Sequence, residues 1–281
     1  MKVFVTGGSS PLGELIVPLL SSTHDVWALA RSDAAAGRIR RRGATAVEGA
    51  LQDPSSWATV AQNADVVVHL AGMRFVEAVV ATVDPQQPLT VIGSASIRNQ
   101  AHHLSAELRA AEGRLIAAKP EALVILRPTM IYGSSGDKNV RLLARLIARM
   151  PAVPRLIGGG HIQPILADDV ASAVATTLGT TRRIEADLGG PAAIRLGELV
   201  CELARLLDKR VVPVPVPVPA LARLGDLISR RRPSRGLHAL AMLRHDRAVA
   251  PAGDDIFGRP PTGLTEGLSL ALSRYGIPRG R

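Results

Sequence analysis

The feature that most constrains this chain is a glycine-rich turn directly after its first apolar segment. Residues 2–6 (KVFVT) are a short β-branched run, and the turn Thr6-Gly7-Gly8-Ser9-Ser10-Pro11-Leu12-Gly13 follows at once. From Pro11 onward, apolar residues recur at helical spacing, so the pattern predicts a strand, a tight turn and a helix. Such a turn lets a pyrophosphate approach the backbone, because glycines leave room and the helix N-terminus presents unpaired N–H groups.

The rest of the N-terminal half continues this alternation of strands and helices. Further strands are predicted at Asp25–Ala30, Thr45–Val47, Asp65–Leu70, Leu89–Gly93 and Leu123–Leu126. Helices are predicted at Asp33–Arg42, Pro54–Gln62, Phe75–Val83 and about His103–Ala118. The apolar runs do not alternate in polarity, which is typical of a parallel sheet covered on both faces. The predicted fold class is therefore α/β: a Rossmann doubly wound parallel sheet with a smaller mixed C-terminal substrate lobe.

The pattern changes after Tyr132-Gly133, where a basic helix and a Pro/Gly-rich segment begin. We predict that residues 1–135 form the NAD(P)-binding Rossmann domain, with 161–190 returning to it. The smaller lobe is assigned to 136–160 and 191–281, with helices at Leu196–Asp208, Leu221–Arg230 and Leu264–Tyr275 and one or two strands. Asp168 and Asp169 open a helix, where they are interpreted as capping residues. Prolines interrupt Val211–Ala222, which indicates an extended strand or a linker and not a membrane span.

The composition of the chain bears on which molecules it binds. The net charge is +10, but aromatic residues are only 2%, which leaves little for base stacking, and no nucleic-acid-binding signature is visible. An excess of arginine over lysine is also typical of a GC-rich bacterial genome. Cys201 is the only cysteine, so intrachain disulfides and thiolate metal clusters are excluded. We expect a cytoplasmic protein without signal peptide, transmembrane segment or metal, binding a small-molecule substrate and no nucleic acid, with a homodimer as its assembly.

The end of the second predicted strand bears on the choice of dinucleotide. NAD sites usually carry Asp or Glu there, to bind the ribose hydroxyls. This chain has Arg31 followed by Ser32, and a guanidinium beside a hydroxyl suits a 2′-phosphate. NADP is therefore the predicted cofactor, with NAD as the alternative; the competing interpretation is that Arg31 is a solvated residue at the start of a basic helix.

Several segments resemble one known family. They are Thr6–Gly13, Asp65–Gly72 (DVVVHLAG), Leu126–Gly133 (LRPTMIYG), Gln163–Ala171 (QPILADDVA) and Phe257–Leu268. Together they resemble the NAD-dependent epimerase/dehydratase family, the extended and atypical short-chain dehydrogenase/reductases. The resemblance runs the length of the chain and is specific to the family but not to a substrate.

This resemblance implies a set of cofactor-binding residues, with two departures from the family pattern. The implied set is Thr6, Gly7, Gly8, Ser9, Ser10, Pro11, Leu12, Gly13, Arg31, Ser32, Leu51, Leu70, Ala71, Gly72 and Pro128. Ser10 replaces the middle glycine of the family's turn, where a small residue still fits. Ala50 replaces the Asp that usually meets adenine, so adenine contacts would be backbone or apolar, with Leu51 as the candidate.

The family's catalytic pattern is present only in part. Ser94 matches the serine after the fifth strand, with Ser96 as second choice. The family's Tyr-x-x-x-Lys pair is absent, and aligning the helix by its glutamate puts Leu104 and Leu108 at those positions. Substitute acids or bases are His103, His102 and Glu107, while Tyr132 could approach from the strand before the smaller lobe. Arg98, Arg127, Lys138 and Arg141 are further candidates for binding an anion, each with surface charge as the simpler interpretation.

Three functions remain open on these residues. The first is an epimerase/dehydratase-like or reductase-like enzyme with non-standard acid/base residues, acting on a small polar or anionic substrate such as a nucleotide sugar. The second is a non-catalytic dinucleotide-binding sensor or complex subunit, which the missing Tyr and Lys favour. The third is a redox-neutral isomerase or cyclase on the same fold. Fold alone does not choose between them.

Overall fold

The computed structural model describes residues 1–98, 105–119, 121–218, 248–249 and 253–278. The chain divides into two compact units. Unit 1 comprises Met1–Pro128, Ala167–Leu188 and Ala252–Pro260. Unit 2 comprises Thr129–Leu166, Gly189–Pro251 and Pro261–Arg281. The first boundary lies after Pro128, earlier than the predicted residue 135. Ala167–Leu188 returns to unit 1 within the predicted 161–190, and Ala252–Pro260, predicted for the smaller lobe, also belongs to unit 1.

Strands and helices alternate through the described residues. The strands are β1 Lys2–Thr6, β2 Asp25–Ala30, β3 Thr45–Glu48, β4 Val66–His69, β5 Leu89–Ile92, β6 Leu123–Pro128, β7 Met130–Tyr132, β8 Val153–Ile157, β9 His161–Ile162, β10 Pro164–Leu166, β11 Ile184–Leu188, β12 Ile194–Arg195 and β13 Val211–Pro217. The helices are α1 Gly13–Ser21, α2 Asp33–Arg41, α3 Ala58–Gln62, α4 Val76–Val80, α5 Ser105–Ala118, α6 Val140–Arg149, α7 Ala167–Thr176, α8 Leu196–Leu206, α9 Asp254–Phe257 and α10 Leu264–Arg274. Within these described residues, no helix has the length and apolar character needed to cross a membrane.

Unit 1 contains the predicted parallel sheet. Its seven strands lie in the order β11-β6-β5-β4-β1-β2-β3, and every neighbouring pair is parallel. The strand order reverses between β1 and β4, and in such sheets ligands bind beyond the carboxyl ends of the strands at this switch point. The prediction of a doubly wound α/β fold is confirmed. The edge strand β11 was missed because IEADL places charges between its apolar residues.

One predicted helix of unit 1 is interrupted. The segment Pro54–Gln62 is a 3-10 turn, Pro54–Ser56, followed by α3. Trp57 lies between them: its ring stacks on Phe4 with centroids 5.7 Å apart, and its indole N–H donates to the carbonyl of Ala50 at 3.1 Å. The helix breaks at Trp57, whose φ of −141° lies outside the helical range.

The helix that opens at the two aspartates has a further function in unit 1. Asp169 is 1% exposed, and its carboxylate forms an ion pair with Arg259 at 2.6 Å. The sequence predicted Asp169 as a capping residue, and the structure shows that it also forms an ion pair with Arg259. The partner belongs to the Phe257-Gly258-Arg259 segment, which joins a distant part of the chain to α7.

The described residues of unit 2 form three short sheets and three helices. The sheets pair β7 with β10, β9 with β12 and β8 with β13, and its core draws on α6, α8 and α10. The Val-Pro segment is a strand: β13 pairs in parallel with β8, with an irregularity between Val212 and Pro215. The sequence predicted one or two strands here and missed β8 in the Pro/Gly-rich segment. The helix predicted at Leu221–Arg230 lies outside the described residues.

Candidate dinucleotide-binding site

The glycine-rich turn lies at the carboxyl end of β1, where its first glycine packs against the end of β4. Gly7 has φ +73°, and a Cβ at this position would lie 2.7 Å from the amide N of Ala71 and 2.9 Å from the carbonyl carbon of Leu70. Any side chain would therefore be strained in conformation and would collide with backbone. The close approach of the two strand ends depends on this glycine.

The turn is closed from within by Ser10. Its amide donates to the carbonyl of Gly7 at 2.9 Å, and its Oγ accepts a hydrogen bond from the amide of Gly13 at 3.0 Å. A Cβ on Gly13 would lie 2.3 Å from the carbonyl oxygen of Gly8, so the turn folds tightly over that position. Serine in place of the family's middle glycine thus fits the turn and adds a hydrogen bond to it.

A buried polar pair links the strand ends beneath the turn. Thr6 Oγ1 and His69 Nδ1 are 2.7 Å apart, and both residues are fully buried. The other ring nitrogen, Nε2, lies 3.4 Å from the carbonyl oxygen of Gly72. Burial lowers the pKa of His69 to about 4, an effect that the Gly72 carbonyl partly opposes. His69 is therefore neutral at pH 7. Its hydrogen bond to Thr6 links β1 to β4, a structural function that was not predicted from the sequence.

This shifted pKa predicts how stability depends on pH. Between about pH 6.5 and pH 4, an unfolded chain binds a proton at His69 while the native protein does not, so stability falls as pH falls through this window. The loss amounts to roughly 3 kcal/mol, at 1.36 kcal/mol for each pKa unit. Urea unfolding at pH 7, 6, 5 and 4 measures it. His69→Gln should flatten the slope relative to wild type, whereas parallel curves would contradict the assignment.

The end of β2 presents the two residues proposed to select the cofactor. Arg31 is exposed, and Ser32 is the N-cap of α2, its Oγ accepting a hydrogen bond from the amide of Ala35 at 3.3 Å. Leu51, the candidate for the adenine, is partly buried and packs against the core of unit 1. Pro128 is buried at the end of β6. Ser32 thus has a capping function that the sequence reading missed.

The serines predicted for catalysis lie beyond the carboxyl end of β5. The hydroxyls of Ser94 and Ser96 are 2.7 Å apart, and the amide of Ser96 donates to Ser94 Oγ at 3.2 Å. β5 neighbours β4 in register, with Val91 beside His69, so these hydroxyls follow a strand adjacent to the one that meets the turn. Both serines are half-buried and linked to each other.

The remaining catalytic candidates are placed less favourably. His102, His103 and Leu104 lie outside the described residues. Leu108, at the family's lysine position, packs against the core of unit 1. Tyr132 is 1% exposed in the core of unit 2, where a Cβ on Gly267 would lie 2.0 Å from its hydroxyl oxygen. Tyr132 therefore lies enclosed in the core of unit 2.

A buried ion cluster beside β5 was not foreseen. Arg127, proposed only as a candidate for binding an anion, has a side chain 3% exposed and bonds Glu112 through Nε at 3.0 Å and Nη2 at 2.5 Å. It also pairs with Glu185 and lies 3.5 Å from Asp187. Burial acts to lower the pKa of Arg127, but the hydrogen bonds that it donates to Glu112 and Glu185 raise the pKa above its ordinary value. The Arg127 guanidinium is therefore held by carboxylates within unit 1.

Two of the three other charged candidates, Arg98 and Arg141, have partners of their own. Arg98 is exposed and pairs with Asp187 at 3.0 Å. Arg141 donates to the carbonyl of Ser135 at 3.2 Å, and its guanidinium lies 5.6 Å from the ring centroid of Tyr275. Lys138 is exposed. The first two therefore stabilise unit 1 and unit 2, respectively.

Comparison with known proteins agrees with this geometry. Residues 7–145 match the family described as NAD(P)H-binding. Among curated proteins, a ceramide reductase of Caulobacter vibrioides is 29% identical over 189 residues, covering 60% of this chain and 58% of that protein. An uncharacterized protein of Schizosaccharomyces pombe is 25% identical over 159 residues, covering 56% and 46%. The chain thus spans only about half the length of these curated relatives.

Solved structures share the fold at low identity. A Citrobacter triphenylmethane reductase complexed with NADP(H) aligns with TM-score 0.75 and 19% identity, covering 97% of this chain and 100% of that one. An NADPH-dependent quinone oxidoreductase of Escherichia coli, complexed with NADPH, aligns with TM-score 0.73 and 18% identity, covering 95% and 98%. A UDP-glucose 4-epimerase of Thermotoga maritima aligns with TM-score 0.71 and 16% identity, covering 98% and 99%.

Fold and turn together define a Rossmann protein of the dinucleotide-binding class. Residues 7–145 match the NAD(P)H-binding family, and the chain shares the fold of NAD-dependent epimerases and reductases, so the resemblance predicted from its motifs is confirmed.

Proposed function

We propose that this protein binds NADP through the turn Thr6–Gly13 and uses it in an epimerase-like or reductase-like reaction on a small polar or anionic substrate. The observation that carries the proposal is the turn itself, whose glycines leave no room for a side chain at the switch point of the sheet. The pyrophosphate would meet the N-terminus of α1, which favours negative charge. When bound, the nicotinamide would supply hydride transfer.

The preference for NADP over NAD is assigned to the end of β2. Arg31 is exposed there, and no carboxylate stands at its position to bind the ribose hydroxyls. A guanidinium can form a bidentate, charge-assisted pair with a 2′-phosphate. Two of the structural neighbours were solved with NADP(H) or NADPH, which supports the same choice.

Reversing the charge at Arg31 tests this proposal. Arg31→Asp should weaken NADPH binding at least about tenfold, because a carboxylate repels the 2′-phosphate, and should leave NADH binding equal or stronger. Calorimetry with both cofactors measures this. Arg38→Asp, at another exposed arginine of α2, is the matched control and should change neither affinity more than about twofold. Equal wild-type affinities for NADPH and NADH would overturn the assignment.

Catalysis is proposed to use Ser94 to orient the substrate oxygen, with Ser96 as its hydroxyl partner at 2.7 Å. The tyrosine and lysine of the family are missing, so His103, or else His102, is proposed as the acid/base, because the histidine side chain is a common general acid and base in enzymes. In this proposal the family's serine is retained as Ser94, and a histidine takes the place of the missing tyrosine and lysine.

Kinetics on any substrate found would test these residues. Ser94→Ala and His103→Gln should each lower kcat by about 10²-fold or more, and the histidine variant should lose the pH dependence near neutrality. His24→Gln is the matched control, because His24 directly precedes β2 and lies at the amino ends of the strands. If the rates and pH profiles of Ser94→Ala, His103→Gln and His102→Gln all equal those of wild type, this active site is excluded.

A second candidate function is a non-catalytic dinucleotide-binding protein, a sensor or complex subunit. The packing of Leu108 into the core of unit 1 favours it, because the family's lysine position carries no polar group. Native mass spectrometry of freshly purified protein distinguishes the two. A retained dinucleotide together with a protein partner, and no turnover, would favour the binding protein; a bound substrate or product would favour the enzyme.

A further inference from the structure

One of the four arginines near the end of α2 contacts the glycine-rich turn. Arg42 directly follows α2, and its Nη1 donates to the carbonyl oxygen of Gly8 at 2.5 Å and to that of Ser10 at 3.3 Å. It is half-buried, whereas Arg38, Arg40 and Arg41 are exposed. Burial lowers the pKa of the Arg42 guanidinium below its ordinary value, against the opposite effect of Glu14, but an arginine stays charged at neutral pH.

These two carbonyls belong to the peptide groups that shape the turn. The amide of Ser10 donates to the carbonyl of Gly7 at 2.9 Å, and its carbonyl also accepts the amide of Glu14 at 3.0 Å. A charged donor on Gly8 and Ser10 fixes the orientation of both peptide planes, because charge-assisted hydrogen bonds are stronger than neutral ones. It also offsets the negative ends of two carbonyl dipoles at a turn that must accept an anion.

We propose that Arg42 is a positioning residue of the phosphate-binding turn, required for the diphosphate that NADH and NADPH share. Arg42 acts through the carbonyls of Gly8 and Ser10 and does not read the 2′-phosphate. This inference rests on the proposed function, since it assumes that the turn binds a dinucleotide. The two arginines then have distinct effects on binding. Arg31 determines how much tighter NADPH binds than NADH, and Arg42 determines the affinity for both cofactors.

The test is calorimetric titration of wild type, Arg42→Met and Arg42→Lys with NADPH and NADH. Methionine keeps much of the apolar stem and removes both hydrogen bonds, so it should weaken both cofactors by a similar factor of at least about ten. Lysine keeps one charged donor and should recover part of that loss. Arg41→Met is the matched control at the neighbouring exposed arginine and should stay within about twofold of wild type. Thermal unfolding of each variant checks that the fold is retained.

The outcomes separate this inference from the proposed function. Arg42→Met, or Arg42→Lys if methionine does not fold, binding both cofactors at wild-type strength would overturn the positioning function. A loss confined to NADPH would overturn it as well, because it would make Arg42 a ligand of the 2′-phosphate. If wild type binds neither cofactor, the proposed function fails and the inference fails with it, whereas wild-type binding without an Arg42 effect leaves the proposed function intact.

Discussion

Replacing Gly13 by alanine is expected to reduce dinucleotide affinity at least about a hundredfold, or about 2.8 kcal/mol. The added Cβ would lie 2.3 Å from the carbonyl oxygen and 2.7 Å from the carbonyl carbon of Gly8. Because these atoms are backbone, the turn has to open, and the amides at the start of α1 would leave the positions that receive a pyrophosphate. Calorimetry with NADPH measures the loss, and circular dichroism confirms that the variant is folded.

A second glycine provides the matched control. Gly113 lies inside α5, and a Cβ there would meet nothing within 4 Å. Gly113→Ala should leave NADPH affinity unchanged and increase the free energy of unfolding by roughly 0.5–1 kcal/mol, because alanine favours the helix. If folded Gly13→Ala binds NADPH as well as Gly113→Ala does, the dinucleotide site is not at this turn.

Breaking the buried ion cluster should destabilise the protein more than any other single change proposed. Arg127→Met leaves Glu112, whose side chain is 9% exposed, and Glu185 without their shared cation. Removing one partner of a buried pair typically costs about 3–5 kcal/mol, because the other charge stays buried. Chemical denaturation at pH 7 gives the free energy of unfolding.

Two further variants serve as controls for the stability of Arg127→Met. Arg98→Gln removes an exposed arginine from the same carboxylate, Asp187, and should cost less than about 1 kcal/mol. Adding Glu112→Gln to Arg127→Met should recover part of the loss, because it removes the orphaned charge. Equal stability of Arg127→Met and Arg98→Gln would contradict the buried cluster, and a double variant no more stable than the single one would contradict the coupling to Glu112.

The glycine-rich turn and the buried ion cluster differ in how far the sequence predicts them. Local residues specified the turn: a β-branched strand, glycines and a helix start suffice to predict Thr6–Gly13, because backbone freedom and helix polarity are local properties. The strand and helix alternation likewise predicted the parallel sheet and six of its seven strands, β1 to β6. Arg127 looked like one more candidate for binding an anion, since its partners Glu112 and Glu185 are far along the chain.

Several assignments needed long-range contacts. The helix predicted at Pro54–Gln62 breaks at Trp57, whose ring stacks on Phe4 in β1. The strand β8 pairs with β13, although prolines interrupt both segments. Tyr132 was a candidate proton donor by residue type alone, and its enclosure beside Gly267 depends on α10, far away in the chain.

Neighbouring residues were enough to predict the class of fold and the glycine-rich turn, because strand and helix periodicity and the conformational freedom of glycine are local properties. Only the tertiary contacts determine which polar groups are buried with hydrogen-bond partners and which are exposed. His69 is neutral because the sheet buries it, Arg42 reaches the turn because α2 ends beside it, and Arg31 stays exposed at the end of β2. Those differences arise from burial and distance, which residue types do not encode.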